Sequence, residues 1–252
     1  HEVVKCGVWA KGRFRGEQML YHSERIYGID ISKYQHVHKR RVYGIDWRNL
    51  RITRLGHTAD RNALGAVDYP VSFVYIKSTE GLTVFNPYYT RDVRAARRYG
   101  FPVGAYHFFS TRPAMRQADY FLKKSRLQKG DLPPMLDVEL SDRRIAAMGG
   151  RDVLFREMLV WLKEVGRRSG TTPIIYVSQD FVNRYMPFAP EELKAYPVWV
   201  ARYGEYKPYV HLLYWQLSPD GRVRGIQGDV DIDVFNGSEE QFKRYLRTQT
   251  VK

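Results

Sequence analysis

A short apolar stretch with two acids is the part of this chain best suited to chemistry. Residues 132–140 are typical of a buried strand, and Asp137 and Glu139 stand two positions apart within it. Side chains alternate faces along a strand, so both carboxyl groups point the same way, with Cα atoms roughly 7 Å apart. Paired carboxylates repel each other, so one keeps its proton near neutral pH, as a general acid requires. An isolated Asp-x-Glu is short and common, and it more often lies at the solvated end of a strand beside an arginine.

Hydrophobic periodicity predicts the elements that hold this pair. Five strands alternate with helices, and three further strand-like runs with short connections follow. The predicted strands are 26–32, 72–79, 103–109, 132–140, 173–178, 197–203, 212–217 and 228–235. The predicted helices are 88–99, a helix opening at 111–113, 151–168 and 179–186.

This order of elements predicts an α/β fold: a single flattened (β/α) barrel-like domain with about five β/α units and three closing antiparallel strands. Residues 1–25 are interpreted as an irregular N-terminal arm, and residues 26–252 as one domain. Residues 36–68 are basic and partly helical in pattern, which indicates a surface excursion.

In (β/α) barrels the functional side chains lie at the carboxyl ends of the strands. Several polar and aromatic residues occupy such positions, and together they would line one mouth suited to a carbohydrate. They are Asp30, Lys77, His107, Asp137, Glu139 and Tyr176, with Trp199, Trp215, Asp231 and Asp233 from the closing strands.

The amino-acid composition limits the classes of partner that the chain is expected to bind. The 252 residues carry a net charge of +14, which favours an anionic partner such as nucleic acid, an anionic membrane or bacterial cell wall. The basic stretch at 38–61 lacks the pattern of a nucleic-acid module, so no nucleic acid is expected. No apolar run approaches the roughly 20 residues of a membrane span. The single cysteine, Cys6, excludes an internal disulfide.

The acids of the last strand also raise the question of a metal. Asp229, Asp231 and Asp233 alternate there, but no His or Cys accompanies them at ligand spacing. We therefore expect no metal and no cofactor. His107 lies on a largely apolar strand, which is typical of a hydrogen-bonded core histidine, and we exclude it from catalysis.

Nine segments in order resemble the glycoside hydrolase family 25 lysozymes, the Chalaropsis-type muramidases also found as phage endolysins. The resemblance covers residues 27–237. The segments are YGIDISKYQ at 27–35, IDW at 45–47, FVYIKSTEG at 73–81, GAYHF at 104–108, LDVE at 136–139, IY at 175–176, WVARY at 199–203, WQ at 215–216 and GDVDIDVF at 228–235.

The resemblance implies hydrolysis of the β-1,4 bond between N-acetylmuramic acid and N-acetylglucosamine. Glu139 would protonate the leaving oxygen and then activate water. Asp137 would either orient the substrate's own acetamido group, which attacks the anomeric carbon, or tune the pKa of Glu139. Asp30 and Asp231 would hold the acetamido group, position water or act as a direct nucleophile.

The same resemblance suggests a substrate-binding set. Tyr106, Tyr176, Trp199 and Trp215 are candidate sugar platforms, although each suits plain core packing equally well. Lys77 would pair with the acids or serve the structure only. The expected partner is bacterial peptidoglycan, for a monomer acting outside the cell or in its envelope, although no leader precedes His1.

Three stretches depart from the family pattern, and two other functions compete with the one that the resemblance implies. The stretches between residues 35 and 45 and between 47 and 73 are longer than usual, and the arm at 1–25 has no counterpart. The first alternative is a glycan-binding module without hydrolysis, which the retained acids disfavour. The second is a chitinase, which would carry a longer Asp-x-Asp-x-Glu run, whereas position 135 is Met.

Overall fold

A closed barrel of eight strands forms the centre of the computed structural model. The structure describes residues 7–10, 13–17, 25–38, 40–58, 61–63, 65–201 and 210–252. The barrel strands are β1 (Ile26–Ile31), β2 (Val74–Glu80), β3 (Val103–Phe108), β4 (Met135–Val138), β5 (Ile174–Ser178), β6 (Val198–Ala201), β7 (Leu212–Arg224) and β8 (Val230–Phe235).

The strands follow one another around the barrel in chain order. Strands β1 to β7 run parallel, β8 pairs antiparallel with both β7 and β1, and the β6–β7 pairing completes the ring. The predicted fold class is confirmed, with one difference in detail. Of the three closing strands only β8 is antiparallel to its neighbours, whereas β6 and β7 run parallel to each other.

Helices cover the outside of the barrel. They are α1 (Tyr89–Arg98), α2 (Ala114–Ser125), α3 (Asp142–Ala147), α4 (Arg151–Ser169), α5 (Gln179–Arg184), α6 (Glu191–Lys194) and α7 (Glu239–Thr248). The main predicted helices are therefore confirmed to within a few residues. Among the described residues, no helix combines the length and apolar character that crossing a membrane requires.

The lower half of the barrel is filled with aromatic rings. Trp199 lies 4.8 Å from Tyr214 and 5.0 Å from Tyr75 between ring centroids. Two inward-facing glycines make room for these rings. A Cβ atom at Gly104 would lie 2.4 Å from the Tyr75 ring, and one at Gly28 would lie 2.3 Å from Phe73. A packed interior leaves only the mouth for a ligand.

Helix α7 closes the barrel at the end opposite the mouth. It follows β8, whose antiparallel direction brings the chain to that end. The Phe242 ring packs on Phe73 and Phe235, with centroids 5.9 and 5.0 Å apart. Ser238 and Gln241 form a capping box that begins the helix. The carboxyl ends of the parallel strands are therefore the open face.

The excursion expected to be partly helical is mainly short strands. Arg51–Arg54 pairs with the far half of β7 and with Tyr69–Pro70, and Gly56–Thr58 pairs with Arg61–Ala63. The remaining short elements are strands Val37–His38, Arg41–Val42 and Val84–Phe85 and 3-10 turns Lys33–Gln35, Trp47–Asn49 and Met186–Phe188. The 13-residue strand β7 extends beyond its barrel partners and offers an edge to pair with, so strand pairing overrides the local helical pattern.

The N-terminal segment, interpreted from sequence as an irregular arm, contains a two-stranded antiparallel hairpin of Gly7–Ala10 and Arg13–Glu17. Residues 1–6, which include Cys6, and residues 11–12 and 18–24 lie outside the described residues. The boundary between arm and domain at residue 26 stays a prediction.

Replacing Gly104 by alanine tests the packing of the interior. The new methyl group would meet the Tyr75 ring, which cannot retreat because its hydroxyl donates to the Pro133 carbonyl oxygen at 3.0 Å. We expect Gly104→Ala to lower the free energy of unfolding by about 1–3 kcal/mol, measured by urea denaturation. Gly44→Ala is the control, since no atom lies within 4 Å of its Cβ position. Equal effects of the two substitutions would contradict this account.

Candidate active site

Two aspartates face each other across neighbouring strands at the mouth. Asp30 on β1 is directly opposite Asp231 on the antiparallel β8. Opposite residues share a face, so both carboxyl groups point into the barrel. Asp30 is buried and Asp231 is half-buried. Because like charges so placed repel, one of the two favours the protonated form.

The predicted acid pair lies across the mouth from them. Asp137 is buried near the end of β4, and Glu139 follows the strand with its side chain open to solvent. Partial burial of its carboxyl group raises the pKa of Glu139. Deeper burial, together with the nearby Glu139 charge, raises the pKa of Asp137 well above its usual range. The pair therefore keeps a proton, held mainly by the deeper Asp137.

Lys77 stands between the strands that carry the acids. Its Nζ atom binds Glu80 Oε2 at 2.7 Å and lies 4.4 Å from the centroid of the Phe108 ring. Burial raises the pKa values of Asp137 and Glu139, and the positive charge of Lys77 offsets part of that rise. Lys77 thus has a structural partner and, in addition, acts electrostatically on the predicted acid pair.

A chain of hydrogen bonds connects the two sides of the mouth. The Tyr176 hydroxyl donates to Gln216 Oε1 at 3.3 Å, and Gln216 Nε2 donates to Asp30 Oδ2 at 3.2 Å. Burial raises the pKa of Asp30, and the Tyr106 hydroxyl beside it offsets a small part of that rise. Tyr106 and Tyr176 therefore line the mouth, with hydroxyl groups beside the acids.

Gln216 belongs to the WQ segment at 215–216 but was not among the site residues predicted from the sequence. It bridges Tyr176 and Asp30 and is itself buried. The available signal was alternation, because Gln216 is two positions after the inward-facing Tyr214 on β7. A polar residue at an inward position of an apolar strand marks the level at which the barrel changes from core to site.

The structure separates the three acids of the last strand. Asp229 is exposed and forms an ion pair with Arg222 at 2.9 Å, outside the mouth. Asp233 is fully buried one level below Asp231, where it is paired in register with Gly28. Asp231 is the member that lies at the mouth beside Asp30.

Burial and mutual repulsion make this cluster proton-rich. Burial raises the pKa of Asp30 to about 7, with a further increase from the Glu139 charge. Burial, Asp30 and Glu139 raise the pKa of Asp231 to about 9. The pKa values of Asp137 and Asp233 are raised well above the usual range, again chiefly by burial. The site therefore retains protons near neutral pH.

Two candidate sugar platforms lie elsewhere. Trp199 is fully buried among the aromatic rings of the lower barrel, so it presents no face to a ligand. Trp215 is adjacent to Gln216 on β7 and therefore points to the opposite, outer face of the strand, where it packs against the core beneath the helices. Trp199 and Trp215 therefore pack in the core and do not form sugar platforms.

His107 is a core histidine, as expected. Its ring lies between the sheet and the helices, where Nδ1 bonds Thr79 Oγ1 at 2.7 Å and Nε2 bonds Gln117 Oε1 at 3.1 Å. Burial lowers its pKa to about 4. Within the part of the chain that the structure describes, no group of three or more His, Cys, Asp or Glu residues is arranged to hold a metal ion.

The raised pKa of Asp30 makes stability depend on pH. The unfolded chain releases this proton near the ordinary value of 3.8 and the folded protein near 7, so Asp30 lowers stability as pH rises between these values. Asp30→Asn cannot ionise, so we expect it to stabilise the protein by a few kcal/mol, at most about 4, at pH 8 and by little at pH 4.

Urea denaturation at the two pH values measures this difference. Asp152→Asn is the matched control, because Asp152 is exposed on α4 and away from the cluster. An equal gain at pH 4 and pH 8 for Asp30→Asn would contradict the ionisation argument.

Comparison with known proteins agrees with this geometry. The model of the Glycosyl hydrolases family 25 matches residues 29–226. The uncharacterised protein YegX of Escherichia coli strain K12 is 33% identical over 228 residues, which are 89% of this chain and 74% of that protein. Lysozyme M1 of Streptomyces globisporus is 29% identical over 229 residues, covering 84% and 68% of the two chains.

Solved structures show the same fold. The bacterial lysozyme from Streptomyces coelicolor superposes with a TM-score of 0.68 at 27% identity, covering 86% of this chain and 94% of that one. A family 25 glycosyl hydrolase from Bacillus anthracis gives a TM-score of 0.67 at 25% identity, covering 91% and 96%. With most of its length matched by the family model, this chain belongs to glycosyl hydrolase family 25 and is a glycosidase.

Proposed function

We propose that the protein hydrolyses the β-1,4 bond between N-acetylmuramic acid and N-acetylglucosamine in bacterial peptidoglycan. Family membership and relatives named lysozyme and N,O-diacetylmuramidase support this substrate. The observation that carries the proposal is the convergence of Asp30, Asp137, Glu139 and Asp231 on one mouth with raised pKa values. Such a cluster can both give and accept a proton near neutral pH.

Glu139 is the acid and then the base in this scheme. It is the acid of the cluster most open to solvent, and its pKa is raised by burial of the carboxyl group among its neighbours. The proton that it shares with Asp137 passes through Glu139 to the glycosidic oxygen as the C–O bond breaks. Ionised Glu139 then removes a proton from the water that attacks the anomeric carbon.

Asp137 supports a substrate-assisted first step. The oxygen of the substrate's acetamido group attacks the anomeric carbon and forms an oxazolinium ion, which water opens in the second step. Asp137 is buried beside Glu139 and in register with Tyr176, so a carboxylate left there would orient the acetamido N–H and offset the positive charge. This role also accounts for its position below Glu139.

Asp30 and Asp231 contribute from the opposite wall. Gln216 and Tyr106 orient the Asp30 carboxyl group, which makes it suited to position the acetamido group or the attacking water. Asp231 lies directly opposite on β8 and keeps its proton to higher pH, so it can donate a hydrogen bond. Tyr106 and Tyr176 would contact the sugar, and Lys77 would hold the charge balance of the acid pair.

If peptidoglycan is the substrate, the protein acts outside the cell or in the cell envelope. The net charge of +14 is compatible with an anionic wall. A monomeric state without nucleic-acid partners stays a prediction of the sequence.

Substituting Glu139 tests the central role. Glu139→Gln keeps the shape of the side chain but cannot transfer a proton, so we expect release of reducing ends from peptidoglycan to fall at least about 100-fold between pH 4 and 8. The fold should survive, since the side chain is exposed. Glu240→Gln on α7, exposed at the opposite end, is the control. Retained turnover would reject this role, and saccharide binding by a wild-type protein without turnover would favour the glycan-binding alternative.

The anomer released first tests the route. Two successive displacements at the anomeric carbon give net retention, whereas a single attack by water gives inversion. We expect a β-anomer from a defined muropeptide in an NMR time course recorded before mutarotation. An α-anomer would exclude the oxazolinium step.

A further inference from the structure

Five arginines at the mouth end of the barrel have no anionic partner among the residues that the structure describes. They are Arg112 before α2, Arg116 in its first turn, Arg143 and Arg144 on α3, and Arg156 near the start of α4, and all five are exposed. We call this set the arginine rim. Among the described residues, no carboxylate lies within ion-pair distance of any of the five.

The topology places the rim beside Glu139. Helices that follow parallel strands begin at the mouth end, and α2 and α3 follow β3 and β4. Arg143 is four residues after Glu139, so their Cα atoms are at most about 14 Å apart. Arg112 is four residues after Phe108, which pairs in register with Asp137. Arg112 and Arg143 therefore lie near the side of the mouth that carries the acid pair.

Contacts between the helices keep the rim together. The Glu157 carboxylate on α4 accepts a hydrogen bond from the Ala114 backbone N–H at 2.7 Å, which joins the starts of α2 and α4. The tight turn at 149–150, with φ of 107° and 89°, brings α3 directly onto α4. The three helix starts thus form one surface.

The acids in these segments are already engaged. Asp142 accepts from Arg184 Nη2 at 2.6 Å and from the Tyr185 hydroxyl at 2.7 Å. Asp152 lies 3.6 Å from Arg151, and Glu157 caps α2. The rim therefore keeps a positive charge that no carboxylate of the described residues offsets, and such a charge attracts an external anion.

We propose that the arginine rim binds the free carboxylates of the stem peptides of peptidoglycan next to the bond being cleaved. This inference rests on the proposed function. The peptide is joined to the lactyl group of N-acetylmuramic acid, so its carboxylates are the anionic groups that necessarily accompany the sugar at the mouth. Arginine matches a carboxylate with two parallel N–H donors. The rim would thus select peptide-bearing glycan.

A double variant on α3 tests the rim with a matched pair of substrates. One substrate is purified sacculi, and the other is the same sacculi with the stem carboxylates converted to amides. For Arg143→Gln with Arg144→Gln we expect KM to rise roughly five-fold on the first substrate, with kcat unchanged. On the amidated sacculi the KM values of variant and wild type should be equal.

The control replaces two arginines at the other end of the barrel. Arg244 and Arg247 on α7 are exposed and equally without a carboxylate partner among the described residues. Arg244→Gln with Arg247→Gln should leave KM unchanged on both substrates. The proposal would be overturned if KM rose as much for the Arg244/Arg247 variant as for the Arg143/Arg144 variant. It would also be overturned if the rise in KM for the Arg143/Arg144 variant persisted on amidated sacculi.

Cosedimentation with the two kinds of sacculi separates this inference from the proposed function. In one outcome, wild-type protein binds unmodified sacculi more tightly than amidated sacculi, the difference depends on Arg143 and Arg144, and no reducing ends are released. That outcome would refute the proposed hydrolysis and support binding by the arginine rim. Normal hydrolysis with equal binding of both substrates by wild type and rim variant would refute the rim alone.

Discussion

The mutual repulsion of carboxyl groups at the barrel mouth is the constraint on which the rest of the site depends. Asp30, Asp137 and Asp231 are held in a partly buried space with Glu139 at its edge, where each charge raises the cost of the next. Protonation relieves this cost, so the cluster stores protons that would otherwise be lost to water. The chemistry follows from this arrangement because a glycosidic oxygen must receive a proton to leave.

The barrel beneath makes the arrangement possible. Rings of Tyr75, Trp199 and Tyr214 fill its lower half, and glycines at 28 and 104 give them space. These packed rings exclude water from the space beneath the carboxyl groups. Gln216, Tyr106 and Tyr176 then supply neutral polar groups at the boundary between core and site, and Gln216 orients Asp30 by a hydrogen bond.

Much of the fold was predictable because the elements are regular. Alternation located the barrel strands, and the 3.6-residue period located α1, α2 and α4 to within a few residues. The direction of β6 and β7 and the strands within residues 36–68 were not predicted. Both depend on which edge is available for pairing, and that is a property of the assembled sheet.

For the active site, too, some features follow from the sequence and others only from the tertiary structure. The sequence by itself placed Asp137 and Glu139 two positions apart at the end of a buried strand, and motif order predicted that Asp30 and Asp231 lie near them. Only the tertiary structure decided that Asp231 lies at the mouth while Asp229 is outside and Asp233 beneath. It also decided that Trp199 belongs to the core and that Gln216 bridges the acids. Spacing specifies the face of one strand, whereas depth and neighbours arise only when the strands close around each other.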